Sequence, residues 1–218
     1  MSDLARMGLT TAAAPATSVD MTAIRSICVY CGSASGMDPT FAAEATALGQ
    51  AMAAAGIRLI YGGGNIGLMG TVARAVLEAG GEVTGVIPTF LKDREILLEE
   101  AQETIVVPDM HSRKQIMYER ADAFIALPGG IGTLEELVEQ LTWSQLGRHS
   151  KPILLLNTQN FWQPLLDLFA HMSQSGFIRQ GLEVRYLVAD HAHEAITLIE
   201  VAASTTPPRA DAAIVTQF

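Results

Sequence analysis

Ile24-Arg25-Ser26-Ile27-Cys28-Val29-Tyr30 is a largely apolar run of strand length that passes directly into Cys31-Gly32-Ser33-Ala34-Ser35-Gly36. A run with so little polar alternation is what a parallel strand covered on both faces requires. The small residues after it suit a tight strand-to-helix junction, and residues 39–55 then carry a helical pattern. Outward from this unit the same alternation repeats. Strand-like runs at 58–61, 82–87, 103–107, 123–127, 153–156 and 186–188 take turns with helical patterns at 68–79, 111–120, 134–146, 162–175 and 192–201. Strand and helix in alternation predict one α/β domain of Rossmann-like type, an open, mostly parallel sheet with helices on both faces. Residues 23–203 form that expected domain, between a flexible leader at 1–22 and a flexible tail at 204–218. Ligands of such sheets sit beyond the carboxyl ends of the strands, so the loops there carry the functional information.

Composition narrows the class. With 49% hydrophobic and only 17% charged residues, the 218-residue chain has ample material for a single core. No apolar run approaches the ~18 residues that would span a bilayer. The first residues lack the basic and apolar regions of a secretory signal, which makes the cytoplasm the expected compartment. A net charge of -9 argues against a basic nucleic-acid or membrane surface. An anionic small molecule can still be held by backbone dipoles and one or two arginines. Cys28 and Cys31 have C-x-x-C spacing, but no second pair or Cys-His cluster completes a zinc site. They lie on a strand rather than at a helix opening and read as reduced packing thiols. Neither a metal nor a cofactor is expected.

Three junctions are rich in small residues: Cys31 to Gly36, Gly62-Gly63-Gly64-Asn65-Ile66-Gly67-Leu68-Met69-Gly70, and Pro128-Gly129-Gly130-Ile131-Gly132-Thr133. Each lets backbone N–H groups approach a ligand, and a helix start adds unpaired donors and partial positive charge. One such loop means little, but three at one sheet edge favour a nucleotide-sized ligand. No Gly-Lys-Ser/Thr follows, so none is a Walker loop. Gly62-x-Gly64-x-x-Gly67 has dinucleotide spacing, yet it follows the second strand and lacks an acid closing the next one, which disfavours NAD. Glu135 and Glu136 follow the third loop in what reads as a first helical turn, where capping is the plain explanation. Met110-His111-Ser112-Arg113-Lys114 sets two cations at a helix start against the dipole, a local conflict that an anionic ligand or nearby carboxylate would relieve.

These residues resemble the Lonely Guy family, cytokinin riboside 5'-monophosphate phosphoribohydrolases that often carry a lysine decarboxylase label. Pro128 to Glu136 matches its P-G-G-x-G-T-x-x-E motif. The likeness extends through Cys31-Gly32-Ser33, Tyr61-Gly62-Gly63-Gly64, Gly67-Leu68-Met69-Gly70 and Met110-His111-x-Arg113-Lys114, covering about residues 24–200. The resemblance implies a Rossmann-like fold, at least a homodimer, and hydrolysis of the N-glycosidic bond of AMP or N6-prenylated AMP. It implies Arg113 and Glu136 as the catalytic pair. It assigns Glu95, Lys114, Gly129, Gly130, Ile131, Gly132, Thr133, Leu134 and Glu135 to the nucleotide site, with Ser33 and Gly63 from the other matched loops. Around Glu95 this chain reads Lys92-Asp93-Arg94-Glu95 where many plant members read Pro-Arg-Glu, so the base side is where it departs.

Cleaving the C1'–N9 bond builds positive charge on ribose, which a carboxylate such as Glu136 stabilises while orienting or deprotonating water. Arg113 offers a planar fork for phosphate or ribose oxygens and for orienting Glu136. Pyridoxal-dependent decarboxylation needs a Schiff-base lysine, and Lys92, Lys114 and Lys151 have no cofactor pattern around them. The alternative of another class is a nucleotide sensor or carrier without turnover. His149, His171, His191 and His193 read as surface or capping residues, and Trp143 and Trp162 as core or dimer contacts.

Overall fold

A computed structural model describes residues 24–92, 98–179 and 181–205. Strands β1 (Ser26–Tyr30), β2 (Arg58–Tyr61), β3 (Val83–Pro88), β4 (Glu103–Val107), β5 (Ala123–Ala126), β6 (Ile153–Leu156) and β7 (Leu187–Ala189) form one sheet, in which every pairing is parallel. Its order is β4-β3-β2-β1-β5-β6-β7. Helices α1 (Pro39–Ala54), α2 (Gly67–Glu78), the one-turn α3 (Thr89–Lys92), α4 (Met110–Arg120), α5 (Ile131–Gln145), α6 (Gln163–Gln174) and α7 (Ala192–Thr205) alternate with the strands. The predicted fold class is the observed one. The leader and most of the tail lie outside the described residues, while Ser204 and Thr205 complete α7.

β1 shows why the sheet is covered on both faces. Ile27 and Val29 enter one apolar cluster with residues of α1, α2 and α7, while Cys28 and Tyr30 enter the other, with residues of α4, α5 and β6. Side chains alternate across a strand, so a strand buried on both sides is apolar along most of its length, as β1 is from Ile27 to Tyr30. Cys28 and Cys31 are free and buried. Burial pushes both thiols up, well above their ordinary range, and Glu136 adds to the rise.

Strand order reverses direction between β1 and β5, and a crevice opens where adjacent loops leave in opposite senses. The two strands stay zipped to the lip of it. Leu127 N–H donates to Tyr30 O at 2.9 Å, and Gly32 N–H to Pro128 O at 3.1 Å. Beyond that bond one loop turns into α1 and the other into α5. This crevice is where the three small-residue junctions converge.

Candidate active site

α4 delivers Arg113. Asp109 caps the helix by accepting from Ser112 N–H at 2.7 Å, and Arg113 then shares the inward stripe with Met117 one turn on. The guanidinium reaches the loop after β2 and lies where a side chain on Gly62 would have to be. Glycine at 62 is therefore a requirement of Arg113, not of a turn. Nη1 donates to Met110 Sδ at 3.7 Å, and Nε is buried with no hydrogen-bond partner among the described residues.

α5 delivers Glu136, and here the sequence reading needs correction. The helix begins at Ile131 with Gly130 as its cap residue, so Glu135 and Glu136 lie beyond the first turn and cap nothing. Gly132 reads as loop in the sequence, but a first turn makes few internal hydrogen bonds, so glycine is tolerated there. Placed one turn deeper, Glu136 falls beside the inward stripe of Thr133, Leu137 and Gln140. Its carboxylate stands 3.9 Å from Arg113 Nη2, and the two side chains are only 12% and 9% exposed. That spacing is an ion pair without a good hydrogen bond.

Two effects compete at Glu136, and burial wins. Desolvation raises its pKa and Arg113 lowers it, with a net value pushed up to about 7. A tight bidentate pair would have held it low. Tyr30 and Cys28 lie near the carboxylate, and burial keeps both neutral, pushing the Tyr30 phenol well up. The floor of the site is thus uncharged, and a half-ionised carboxylate sits over it near neutral pH. This suits a group that must exist as a base and bind a cation-like centre.

The other nominated residues divide. Gly32, Ser33, Gly129 and Gly130 line a cavity of about 260 Å³ at the crevice, closed by Phe41, Leu68 and Phe161 among others. Gly129 passes so close to Gly32 N and Thr133 that a side chain there has no room. Gly130 and Gly132 face open space, Ile131 is exposed, and Thr133 is buried. Leu134 packs against the apolar cluster of α4 and α5. Gly63 adopts φ 84° and packs against β3. Glu95 lies outside the described residues. Lys114 Nζ donates to Glu135 Oε1 at 2.6 Å and Glu139 Oε1 at 2.9 Å, so the conflict at the start of α4 is relieved by carboxylates of α5. Glu139 went unnoticed in the sequence, although it lies one turn beyond Glu135 on the same face. His149 is a correction: it is buried against Tyr118 and Phe124, and burial lowers its pKa to about 4. It forms core because the turn after α5 folds inward.

A doubly wound sheet with a buried Arg–Glu pair at its switch point, beside an open glycine-lined helix start, defines a Rossmann-like α/β protein. Known proteins place it further. A family model described as possible lysine decarboxylase matches residues 69–199. A probable cytokinin riboside 5'-monophosphate phosphoribohydrolase of Oryza sativa subsp. japonica is 46% identical over 194 residues, covering 89% of this chain and 87% of its own. The cytokinin riboside 5'-monophosphate phosphoribohydrolase of Rhodococcoides fascians is 44% identical over 189 residues, covering 85% and 96%. Among solved structures, a molybdenum cofactor binding protein of Rippkaea orientalis superposes with TM-score 0.64 at 26% identity, over 81% of this chain and 96% of that one. The chain belongs to the Lonely Guy family of phosphoribohydrolases, enzymes of the N-glycosidase class. The decarboxylase description finds no amine to carry it. Lys114 is held by two carboxylates, Lys151 donates to Tyr118 O at 2.6 Å over an aromatic ring, and Lys92 ends an exposed one-turn helix.

Proposed function

We propose that this enzyme hydrolyses the N-glycosidic bond of nucleoside 5'-monophosphates bearing an adenine-type base, releasing the free base and ribose 5-phosphate. The observation that carries the reading is the buried Arg113–Glu136 pair at 3.9 Å, with its carboxylate poised near neutrality. In this scheme the phosphate lies at the open start of α5, by Gly130, Gly132 and Thr133, where backbone N–H groups and the helix dipole favour it. Glu136 follows along the helix axis, about 9 Å on from Gly130 at 1.5 Å per residue. There its carboxylate stabilises positive charge at C1' as the C1'–N9 bond breaks and takes a proton from the attacking water, while the departing base takes up a proton from solvent. Arg113 orients Glu136 and binds ribose or phosphate oxygens; it stays charged and gives up no proton. No metal or cofactor has a step in this scheme.

The base is proposed to carry an apolar N6 substituent, with plain AMP a poorer substrate. Met37, Ile66 and Phe161 in loops, Phe90 in α3 and Ile131 at the start of α5 all follow the carboxyl ends of strands, and all are exposed. An apolar rim on a mouth meant for a nucleotide favours an apolar group on the base. Partial burial of a five-carbon substituent is worth about 1–3 kcal/mol, so kcat/KM on N6-isopentenyl-AMP should exceed that on AMP roughly 10- to 100-fold. Removing the 5'-phosphate should cost roughly 100-fold or more in kcat/KM. Equal rates on all three compounds would refute the assignment. The activity should also fall as pH drops through about 7, because Glu136 is then protonated.

The relative named as a cofactor binding protein favours a second reading, that of a carrier without turnover. Tight nucleotide binding with no release of base would establish it. The proposed setting is a homodimer in the cytoplasm, and light scattering of the purified protein tests the assembly. No helix among the described residues is long and apolar enough to cross a membrane.

A further inference from the structure

Lys114 is a natural candidate for a phosphate ligand, being a cation next to Arg113, but its surroundings oppose that role. Two of its three donors are committed, to Glu135 Oε1 and Glu139 Oε1, and its side chain is only 16% exposed. One ammonium with two carboxylates carries a net charge of -1, which repels a phosphate dianion. Glu139 is the unexpected member. Its second oxygen, Oε2, is buried with no hydrogen-bond partner among the described residues, a costly state for a residue serving only packing. Glu135 and Glu139 are one turn apart and flank Glu136 in sequence, while Lys114 adjoins Arg113. The same two helices meet again lower down, where Tyr118 packs edge-on to Trp143 at 5.1 Å.

We propose that Lys114, Glu135 and Glu139 form an interhelical clamp that holds Glu136 at its working distance from Arg113, with Lys114 and Glu139 acting as positioning residues rather than substrate ligands. The inference rests on the hydrolase reading above. Besides setting distance, the clamp sets charge. The ionisable groups facing Glu136 among the described residues are Arg113 and Lys114 from α4, Glu135 and Glu139 from α5, Cys28 and Tyr30 from β1, and Cys31 from the loop after it. The last three are neutral in the working range, which leaves the clamp and Arg113 in control. Glu135 and Glu139 raise the Glu136 pKa, and Arg113 and Lys114 lower it.

The test is kinetic, on the full chain with N6-isopentenyl-AMP, as kcat and KM between about pH 5.5 and 9. Glu139→Gln should lower kcat about tenfold, leave KM within about twofold, and move the acid limb of kcat down by roughly half a pH unit or more. Lys114→Met should also lower kcat but move the limb up, again with little change in KM. Glu139→Asp keeps the charge and should retain the wild-type limb, so it serves as the second variant should glutamine disturb folding. The free substrate's own phosphate titrates near pH 6 and enters kcat/KM identically for every variant, so the limb is read from kcat/KM as well as from kcat, and a shift seen in both belongs to the protein. A tenfold or greater rise in KM for Lys114→Met, with kcat and limb unchanged, would make Lys114 a phosphate ligand and overturn the clamp. So would a Glu139→Gln enzyme indistinguishable from wild type. Should the wild-type enzyme release no base, the hydrolase reading fails by itself. The clamp is then judged by carbon-13 titration of the Glu136 carboxyl, whose pKa must fall in Glu139→Gln for it to stand.

Discussion

Glu136→Gln is expected to abolish turnover, by roughly three orders of magnitude or more in kcat, while nucleotide affinity changes by less than about tenfold. Glutamine keeps the shape of the side chain but can neither accept a proton from water nor balance a positive ribose. Losing a negative charge near the phosphate should tighten binding if it changes it at all. The same variant should be the more stable protein in alkaline solution. A carboxyl whose pKa is raised in the folded state, from 4.5 to about 7, favours folding fully below about 4.5 and loses that contribution as pH rises through about 7. At pH 8 the ionised group therefore burdens the fold by about 3 kcal/mol, which the neutral isostere removes. Chemical denaturation should show Glu136→Gln more stable than wild type at pH 8 and equal to it near pH 4. A less stable variant at pH 8 would mean that Arg113 depends on Glu136 more than burial opposes it. The carboxylate is thus one that stability would discard and function retains.

Gly62→Ala should be the most damaging conservative change away from the reacting atoms. The added methyl falls on Arg113 Nη2, the far end of a flexible side chain, and comes within 3.3 Å of Met69 Sδ. Because side chains rather than backbone must give way, the fold should survive with a loss of about 1–2 kcal/mol. The guanidinium, however, must leave its place beside Glu136. Turnover should fall roughly 100-fold, since a displacement of ~1 Å in a catalytic constellation has such effects. Measured kcat within about threefold of wild type would show that the position of Arg113 is not set by this gap.

How much of this is visible in the chain alone depends on the range of the interaction. The alternation of apolar runs and helical patterns gives the sheet and its helices, because burial on both faces leaves a local mark at every strand position, as at Ile27 to Tyr30. Short or tolerant elements leave weaker marks. The start of α5 is misjudged by three residues because Gly132 resembles a loop, and α3 has too few residues for a period. Arg113 and Lys114 stand out because cations at a helix start break a local rule, and the relief comes from α5. What the chain hides is cross-element geometry. Gly62 looks like a turn glycine and proves to be the space for a guanidinium from another helix. Glu139 belongs to no motif in the sequence, and the fold brings it to Lys114 of another helix. His149 looks like a surface residue and is buried among rings.

The most direct measurement follows the products in water enriched in oxygen-18, with N6-isopentenyl-AMP as substrate and Glu136→Gln as control. The wild-type enzyme should yield free base and ribose 5-phosphate in equal amounts, with one labelled oxygen at C1 when quenched before exchange, and the variant should yield neither. Nucleotide recovered intact from a tight wild-type complex, or products formed equally well by the variant, would contradict hydrolysis by the Arg113–Glu136 pair.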